Sequence, residues 1–264
     1  MSRDIQAKKS LGQHWLNDAG VLRAMCEAAR VAQGDTVLEV GPGQGSLTAM
    51  LLEGGAKVVA VELDESLAAR LLQRFYGRPF TLNMLSILDF DLSKLPKDYK
   101  VVANIPYYLT AHLLRMLCET LHKPNVAVLL VQKEVAERVT ARPGDMAALS
   151  VLAQFYYEAL LGQVVPAKLF SPPPKVDSQI LILHKRQEPL FADVDYKQFF
   201  HIVKAGFSER RKKLRSSLSG GLGVSKPSAE AMLQKAGIDP NRRAQELSLD
   251  EWHELYKQFS SNNK

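Results

Sequence analysis

The segment best equipped for chemistry is Asn104-Ile105-Pro106-Tyr107. It follows the mostly apolar run Tyr99-Lys100-Val101-Val102-Ala103, which reads as a short strand. Proline fixes its own φ and drives the preceding residue out of helical space, so the strand must end in a stiff, extended turn at Ile105. An amide side chain, a backbone carbonyl and an aromatic ring are then presented together just past the strand end. These groups can grip a planar base that carries an amino group. The Asn104 oxygen and the Ile105 carbonyl accept hydrogen bonds from its NH2, and Tyr107 stacks on its face. Taken alone, the tetrapeptide could equally be a turn after a buried strand.

Two upstream features favour the chemical reading. Thr36-Val37-Leu38-Glu39-Val40 is an apolar run that enters Gly41-Pro42-Gly43-Gln44-Gly45, and an apolar-rich helical pattern follows from Ser46. Glycines at such a strand-to-helix turn permit unusual φ/ψ and let a ligand come close to the backbone. The spacing is GxGxG rather than the GxGxxG of dinucleotide-binding loops. A second strand, Lys57-Val58-Val59-Ala60-Val61, ends in Glu62, whose carboxylate can accept both hydroxyls of a ribose. A glycine loop plus an acid also fits a nicotinamide enzyme. Joined to Asn104-Ile105-Pro106-Tyr107 at a later strand end, it points to S-adenosylmethionine and methyl transfer to an amino group.

Positioning these groups requires an alternating scaffold. Strand patterns fall at Thr36–Val40, Lys57–Glu62, Phe80–Met84, Tyr99–Asn104, Asn125–Gln132, near Leu160–Val165 and at Asp177–His184. Helical patterns fill Gly45–Gly54, Ser66–Phe75, Thr110–Leu121, Lys133–Ala141 and Ala147–Phe155. The alternation predicts an α/β fold: a Rossmann-like, parallel, doubly wound sheet with helices on both faces and ligands at the strands' carboxyl ends. From Asp195 to Phe259 only helical periods remain, broken at Ser219-Gly220-Gly221, Lys226-Pro227 and Gly237–Pro240. Residues 1–188 are therefore expected to form the catalytic, cofactor-binding domain, and residues 189–264 a small all-helical domain.

Composition narrows the setting. Two cysteines, Cys26 and Cys118, give no disulfide framework and read as buried thiols of a reducing compartment. The polar N-terminus shows no secretory pattern, and Val126–Val131 is too short to span a bilayer, so a cytoplasmic protein is expected. The net charge is +6, and the segment from Lys204 to Lys226 holds seven cations against one anion, the whole excess of the chain. Such concentration favours a polyanionic partner over a merely solvated face. The run Arg210-Arg211-Lys212-Lys213-Leu214-Arg215 reads as a basic helix whose cations cannot all share one face. No His/Cys/Asp cluster with metal-ligand spacing occurs, and none is needed for methyl transfer.

Seven segments, in order, resemble one known family. They are Lys9–Leu16, Glu39–Gly43, Val61–Asp64, Asn104–Tyr107, Gln132–Arg138, Phe170–Ser178 and Phe207–Arg215. Together they are similar to the bacterial small-subunit ribosomal RNA adenine dimethyltransferases, over nearly the whole chain. The resemblance implies dimethylation at N6 of two adjacent adenosines near the 3′ end of small-subunit rRNA, with S-adenosylmethionine as methyl donor, late in subunit assembly. It implies that His14 and Leu16 close over the cofactor, that Gly41 and Gly43 pass beneath it, and that Glu62 holds its ribose. Asn104 and Ile105, stiffened by Pro106, would receive the target amino group. Tyr107 and Phe170 would stack on a target base that must leave its own stack. Arg210, Arg211 and Lys213 would meet phosphate, and the protein would act as a monomer on the assembling small subunit.

Three positions depart from the family pattern. Ser86 stands where relatives place an aspartate for the cofactor's adenine, with Asp89 as the alternative partner. Tyr108 replaces an asparagine. Met146-Ala147-Ala148 replaces Tyr-Gly-Arg, which takes away an RNA contact. The competing readings are the related large-subunit rRNA methyltransferases of macrolide resistance, a non-methylating assembly factor and, more distantly, a nicotinamide dehydrogenase.

Overall fold

A computed structural model describes residues 12–262, so Lys9, Ser10 and Leu11 of the N-terminal motif lie outside the described residues. Strand β1 (Trp15–Leu16) precedes helix α1 (Ala19–Ala28), whose first turn is capped where the Asp18 carboxylate accepts from the Val21 amide at 2.9 Å. Strand and helix then alternate through β2 (Thr36–Val40), α2 (Ser46–Glu53), β3 (Lys57–Val61), α3 (Glu65–Arg74), β4 (Phe80–Asn83), β5 (Lys100–Asn104), α4 (Thr110–Glu119), β6 (Val126–Gln132) and α5 (Lys133–Val139). Helix α6 (Ala148–Tyr156) runs directly into β7 (Tyr157–Val165), followed by β8 (Phe170–Ser171) and β9 (Ser178–Lys185). The C-terminal helices are α7 (Tyr196–Phe207), α8 (Leu214–Leu222), α9 (Lys226–Lys235) and α10 (Leu249–Asn262).

The main sheet has seven strands in the order β4-β3-β2-β5-β6-β9-β7. Pairs β3/β4, β2/β3, β2/β5 and β5/β6 are parallel. Strands β2, β5 and β6 are buried through their middles, which explains the unbroken Val, Leu and Ala runs of β5 and β6; β2 is as buried but carries Glu39. Successive connections leave β2 towards β3 on one side, while β5 and β6 extend the sheet on the other. The switch point therefore lies between β2 and β5, where the strand ends open a crevice for ligands.

The sheet is not purely parallel, because β9 runs antiparallel to β6 in a seven-residue register from Val126↔His184 to Gln132↔Ser178. Residues 166–177 between β7 and β9 hold only a short 3-10 turn and β8. No α-helix, the usual crossover between parallel strands, lies in that stretch.

The chain divides into two compact units, and the division differs from a cut at residue 188. The first comprises residues up to Ala136 together with Glu158–Lys185, and the second comprises Glu137–Tyr157 with the chain from Arg186 onward. Helix α6 reads as part of the alternating pattern. Its Val151 and Phe155, with Met146, pack instead into the core of Phe199, Ile202, Leu218, Leu233 and Trp252. An apolar helix face tells that it is buried, not against which neighbour. The capping box expected at Ser248-Leu249-Asp250-Glu251 is present, with Ser248 N donating to the Glu251 carboxylate at 2.8 Å and Glu251 N to the Ser248 hydroxyl at 3.1 Å.

Two expectations for the helical unit are corrected. Ser219-Gly220-Gly221 does not break a helix but lies inside α8, which ends at Leu222 and is capped by Gly223. A Cβ on Gly221 would come within 2.6 Å of Ala205 Cα, so the glycine is there for the close approach of α7 and α8. The basic run is not a helix either. Residues 208–213 form the turn between α7 and α8, and Lys213 is the residue before α8 begins. Among the described residues no helix is long and apolar enough to cross a membrane.

Candidate active site

The glycine loop leaves β2 with Gly41, Gly43 and Gly45 all at positive φ. At Gly41 (φ +66°) a Cβ would point towards Pro106 Cδ at 3.8 Å, so the missing side chain keeps open the gap between this loop and the turn after β5. Glu62, just past β3, is 7% exposed. Its Oε1 accepts from the Leu63 and Asp64 amides at 2.9 Å each, and its Oε2 from the Gly43 amide at 3.4 Å. Burial raises its pKa, and those backbone amides pull it back. The carboxylate is thus fixed in direction, with the weakly bonded Oε2 facing the loop.

Asn104 ends β5, where its Nδ2 donates to the His14 carbonyl at 3.2 Å. That bond fixes the amide, and no donor among the described residues occupies its oxygen. The Ile105 carbonyl likewise accepts no backbone amide among the described residues. Tyr107 shares a 2.7 Å hydrogen bond with the Ser178 hydroxyl and lies nearly parallel to the His14 ring at 5.9 Å. Burial raises the Tyr107 pKa, which keeps the phenol neutral.

The N-terminal segment forms a strap across this ground. Strand β1 pairs antiparallel with β8, Trp15 opposite Ser171 and Leu16 opposite Phe170. His14 Nδ1 lies 2.7 Å from the Pro172 carbonyl, and Ser46 Oγ donates to Asn17 Oδ1 at 2.6 Å. Leu16 and Phe170 are each 4% exposed and belong to the first unit's core.

One cavity of about 340 Å³ gathers the sequence-derived residues of the first unit. His14, Leu16, Gly41, Gly43, Glu62, Ser86, Asn104, Ile105, Pro106, Tyr107 and Phe170 all line it. Asp89 does not. It is exposed in the short turn that Ser86 caps, with Ser86 Oγ accepting from Leu88 N at 3.2 Å. Arg210, Arg211 and Lys213 belong to the second unit and are exposed; Lys213 Nζ donates to Asn241 Oδ1 at 2.8 Å.

Sequence reasoning gave no role to Glu39, which also lines the cavity. It is 1% exposed, and the Thr48 hydroxyl donates to its Oε2 at 2.6 Å. Burial, with the Glu62 charge adding to it, pushes its carboxyl up to about 8 against the pull of the Thr48 hydrogen bonds. The signal was present as an acid inside the β-branched run of β2, where only a paired or neutral carboxyl can sit.

The glycine loop after β2, the acid after β3 and the amide after β5, meeting at the switch point of a mostly parallel sheet, define a Rossmann-like methyltransferase. Comparison with known proteins narrows the class. The family model described as "Ribosomal RNA adenine dimethylase" matches residues 5–261, and the chain belongs to that family. A ribosomal RNA small subunit methyltransferase A from Dehalococcoides mccartyi (strain CBDB1) is 44% identical over 262 residues, covering 98% of this chain and 90% of its own length. The crystal structure of a dimethyladenosine transferase from Plasmodium falciparum shares the fold with a TM-score of 0.79 at 24% identity, over 95% of this chain and 98% of the other. That of the 23S rRNA methyltransferase ErmE superposes with a TM-score of 0.73 at 26% identity, over 93% of this chain and 99% of the other. The chain is an rRNA adenine dimethyltransferase, with S-adenosylmethionine as its methyl donor.

Proposed function

We propose that this enzyme dimethylates N6 of two adjacent adenosines near the 3′ end of small-subunit rRNA, acting as a cytoplasmic monomer on the assembling subunit. The observation that carries the reading is a pair of acceptors, Asn104 Oδ1 and the Ile105 carbonyl, that no donor among the described residues occupies, on residues lining the same cavity as the glycine loop and Glu62. The small subunit is favoured over the large because the relative named for it is 44% identical, against 26% for the 23S enzyme.

The residues present suit the cofactor. Two buried carboxyls, Glu39 and Glu62, face a cavity that would receive a cation with a ribose diol, and Gly41 leaves the backbone approachable. Glu62 would hold the ribose hydroxyls, Ser86 the adenine edge, and His14 and Leu16 the covering side. S-adenosylmethionine supplies a methyl group already activated on sulfonium.

The chain's own work is done on the adenine. Its amino nitrogen is a poor nucleophile because the lone pair is delocalised into the ring. Asn104 Oδ1 and the Ile105 carbonyl accept hydrogen bonds from its N–H groups, which favours a pyramidal nitrogen and stabilises the positive charge that develops there; each transfer then releases one N–H proton to solvent. Tyr107 supplies a face for the extruded base. Phe170 is 4% exposed in the first unit's core, so it would reach the base only where it lines the cavity. Positioning, rather than acid or base chemistry, supplies much of the rate.

A non-methylating assembly factor is disfavoured by these intact acceptors. The test is incubation with undermethylated small and large subunits and labelled cofactor. Label in the small subunit supports the reading, and label confined to the large subunit, or none, overturns it.

A further inference from the structure

Tyr108 is a large aromatic side chain left 60% exposed while lining the cavity. One part of its ring rests on the strap, where a Cβ on Gly12 would lie 3.5 Å from Tyr108 Cδ1. Its hydroxyl makes no hydrogen bond among the described residues. The side chain is therefore held at its base, and among the described residues its polar tip has no partner while most of the side chain stays exposed.

It does not stand alone. Tyr108 sits in the 3-10 turn Tyr107–Leu109 that leads directly into α4, and Leu109 and Thr110 both have helical dihedrals. His112 and Arg115 follow at spacings of four and three, so the three side chains share one helical face. All three are exposed. The Arg115 side chain is 60% exposed, and its contact with Glu119 is long, 3.9 Å, and solvated. A pair of that kind holds its guanidinium only weakly. The opposite face of α4, with Leu113, Leu114 and Leu117 at 0% exposure, is fully committed to the core.

We infer that Tyr108, His112 and Arg115 form a docking track for the single-stranded nucleotides next to the target adenosine. The inference rests on the rRNA-methylating reading and names a surface that reading does not require. Tyr108 is placed to stack the base next to the one received by Tyr107. Arg115, about 10 Å further along the helix axis, is placed to meet phosphate. Aromatic rings followed by a cation on one exposed face suit single strands, because every base has a stackable face and every linkage a charge. The alternative is a solvated helix face with no partner.

The test compares Tyr108→Ala, Tyr108→Phe and Tyr108→Ala/Arg115→Ala with the wild type, using undermethylated small subunits as substrate. Calorimetry with S-adenosylhomocysteine runs in parallel. Loss of a base stack should raise KM for the subunit about 5- to 150-fold in Tyr108→Ala. Tyr108→Phe, which keeps the ring, should recover most of that loss. Removing Arg115 as well should flatten the salt dependence of subunit binding by up to about 0.7 in log–log slope, one phosphate contact to a single strand. Cofactor affinity should stay within about twofold of wild type. A double variant with wild-type KM and salt slope would overturn the track. So would a parallel fall in cofactor affinity, which would mean that Tyr108 only props the strap at Gly12. A wild type that transfers no methyl group at all would instead overturn the rRNA-methylating reading.

Discussion

Replacing Glu39 with glutamine should make the first unit more stable at neutral and alkaline pH. The carboxyl is 1% exposed and accepts a hydrogen bond from the Thr48 hydroxyl, and no cation is among the groups acting on it. Burial raises it from 4.5 to about 8, with the nearby Glu62 charge contributing. The folded state thus holds a proton that the unfolded chain gives up above pH 4.5. Stability from this group is fully present below the unfolded value and is lost as pH rises through the folded one. Each pH unit inside that window costs about 1.4 kcal/mol, so between pH 5 and pH 7 the wild type should lose roughly 2–3 kcal/mol relative to the glutamine variant. Glutamine keeps the shape and can still accept from Thr48, so the two proteins should be similar near pH 5. Urea unfolding followed by circular dichroism across pH 5–9 measures the difference. Parallel pH profiles for the two proteins would refute the claim that a protonated carboxyl sits beneath the cavity.

Other outcomes follow from the same geometry. In Asn104→Ala the Kd for S-adenosylhomocysteine should be nearly unchanged, while single-turnover methyl transfer should fall about 10²-fold or more, as expected for one lost positioned acceptor. Glu62→Ala should weaken cofactor binding in calorimetry by about 1.5–3 kcal/mol, the range for hydrogen bonds to a charged group. Binding of the cationic cofactor near pH 7 should release up to about one proton from Glu39, seen as a buffer-dependent heat that Glu39→Gln abolishes. Replacing Arg210, Arg211 and Lys213 with alanine should flatten the salt dependence of RNA binding by up to about 0.9 per lost duplex phosphate contact and leave cofactor affinity unchanged. Most of that effect should come from Arg210 and Arg211, because Lys213 is engaged by Asn241.

The site was more legible in the sequence than the arrangement around it. Strand ends announce themselves through local chemistry: a positive φ needs glycine at position 41, and Pro106 dictates the turn after Asn104. Those signals survive without knowledge of any distant neighbour, and the residues they mark line one cavity. What failed depends on partners far along the chain. The direction of β9 goes with a connection that holds no crossover helix, and the unit to which α6 belongs is set by which apolar surface receives Phe155. Gly221 looked like a helix breaker because the residue it lies against, Ala205, cannot be seen from local sequence. Glu39 was missed because a lone acid in a buried strand reads as a packing exception until the cavity beside it is known.

Site-resolved mass spectrometry tests the central claim most directly. Undermethylated small subunits would be incubated with this protein and S-adenosylmethionine, and the 3′-terminal rRNA fragment would be sequenced by mass. The account predicts N6,N6-dimethyladenosine at two adjacent positions with wild type and unmodified adenosines with Asn104→Ala. Methylation elsewhere in the rRNA, or equal modification by the Asn104 variant, would contradict it.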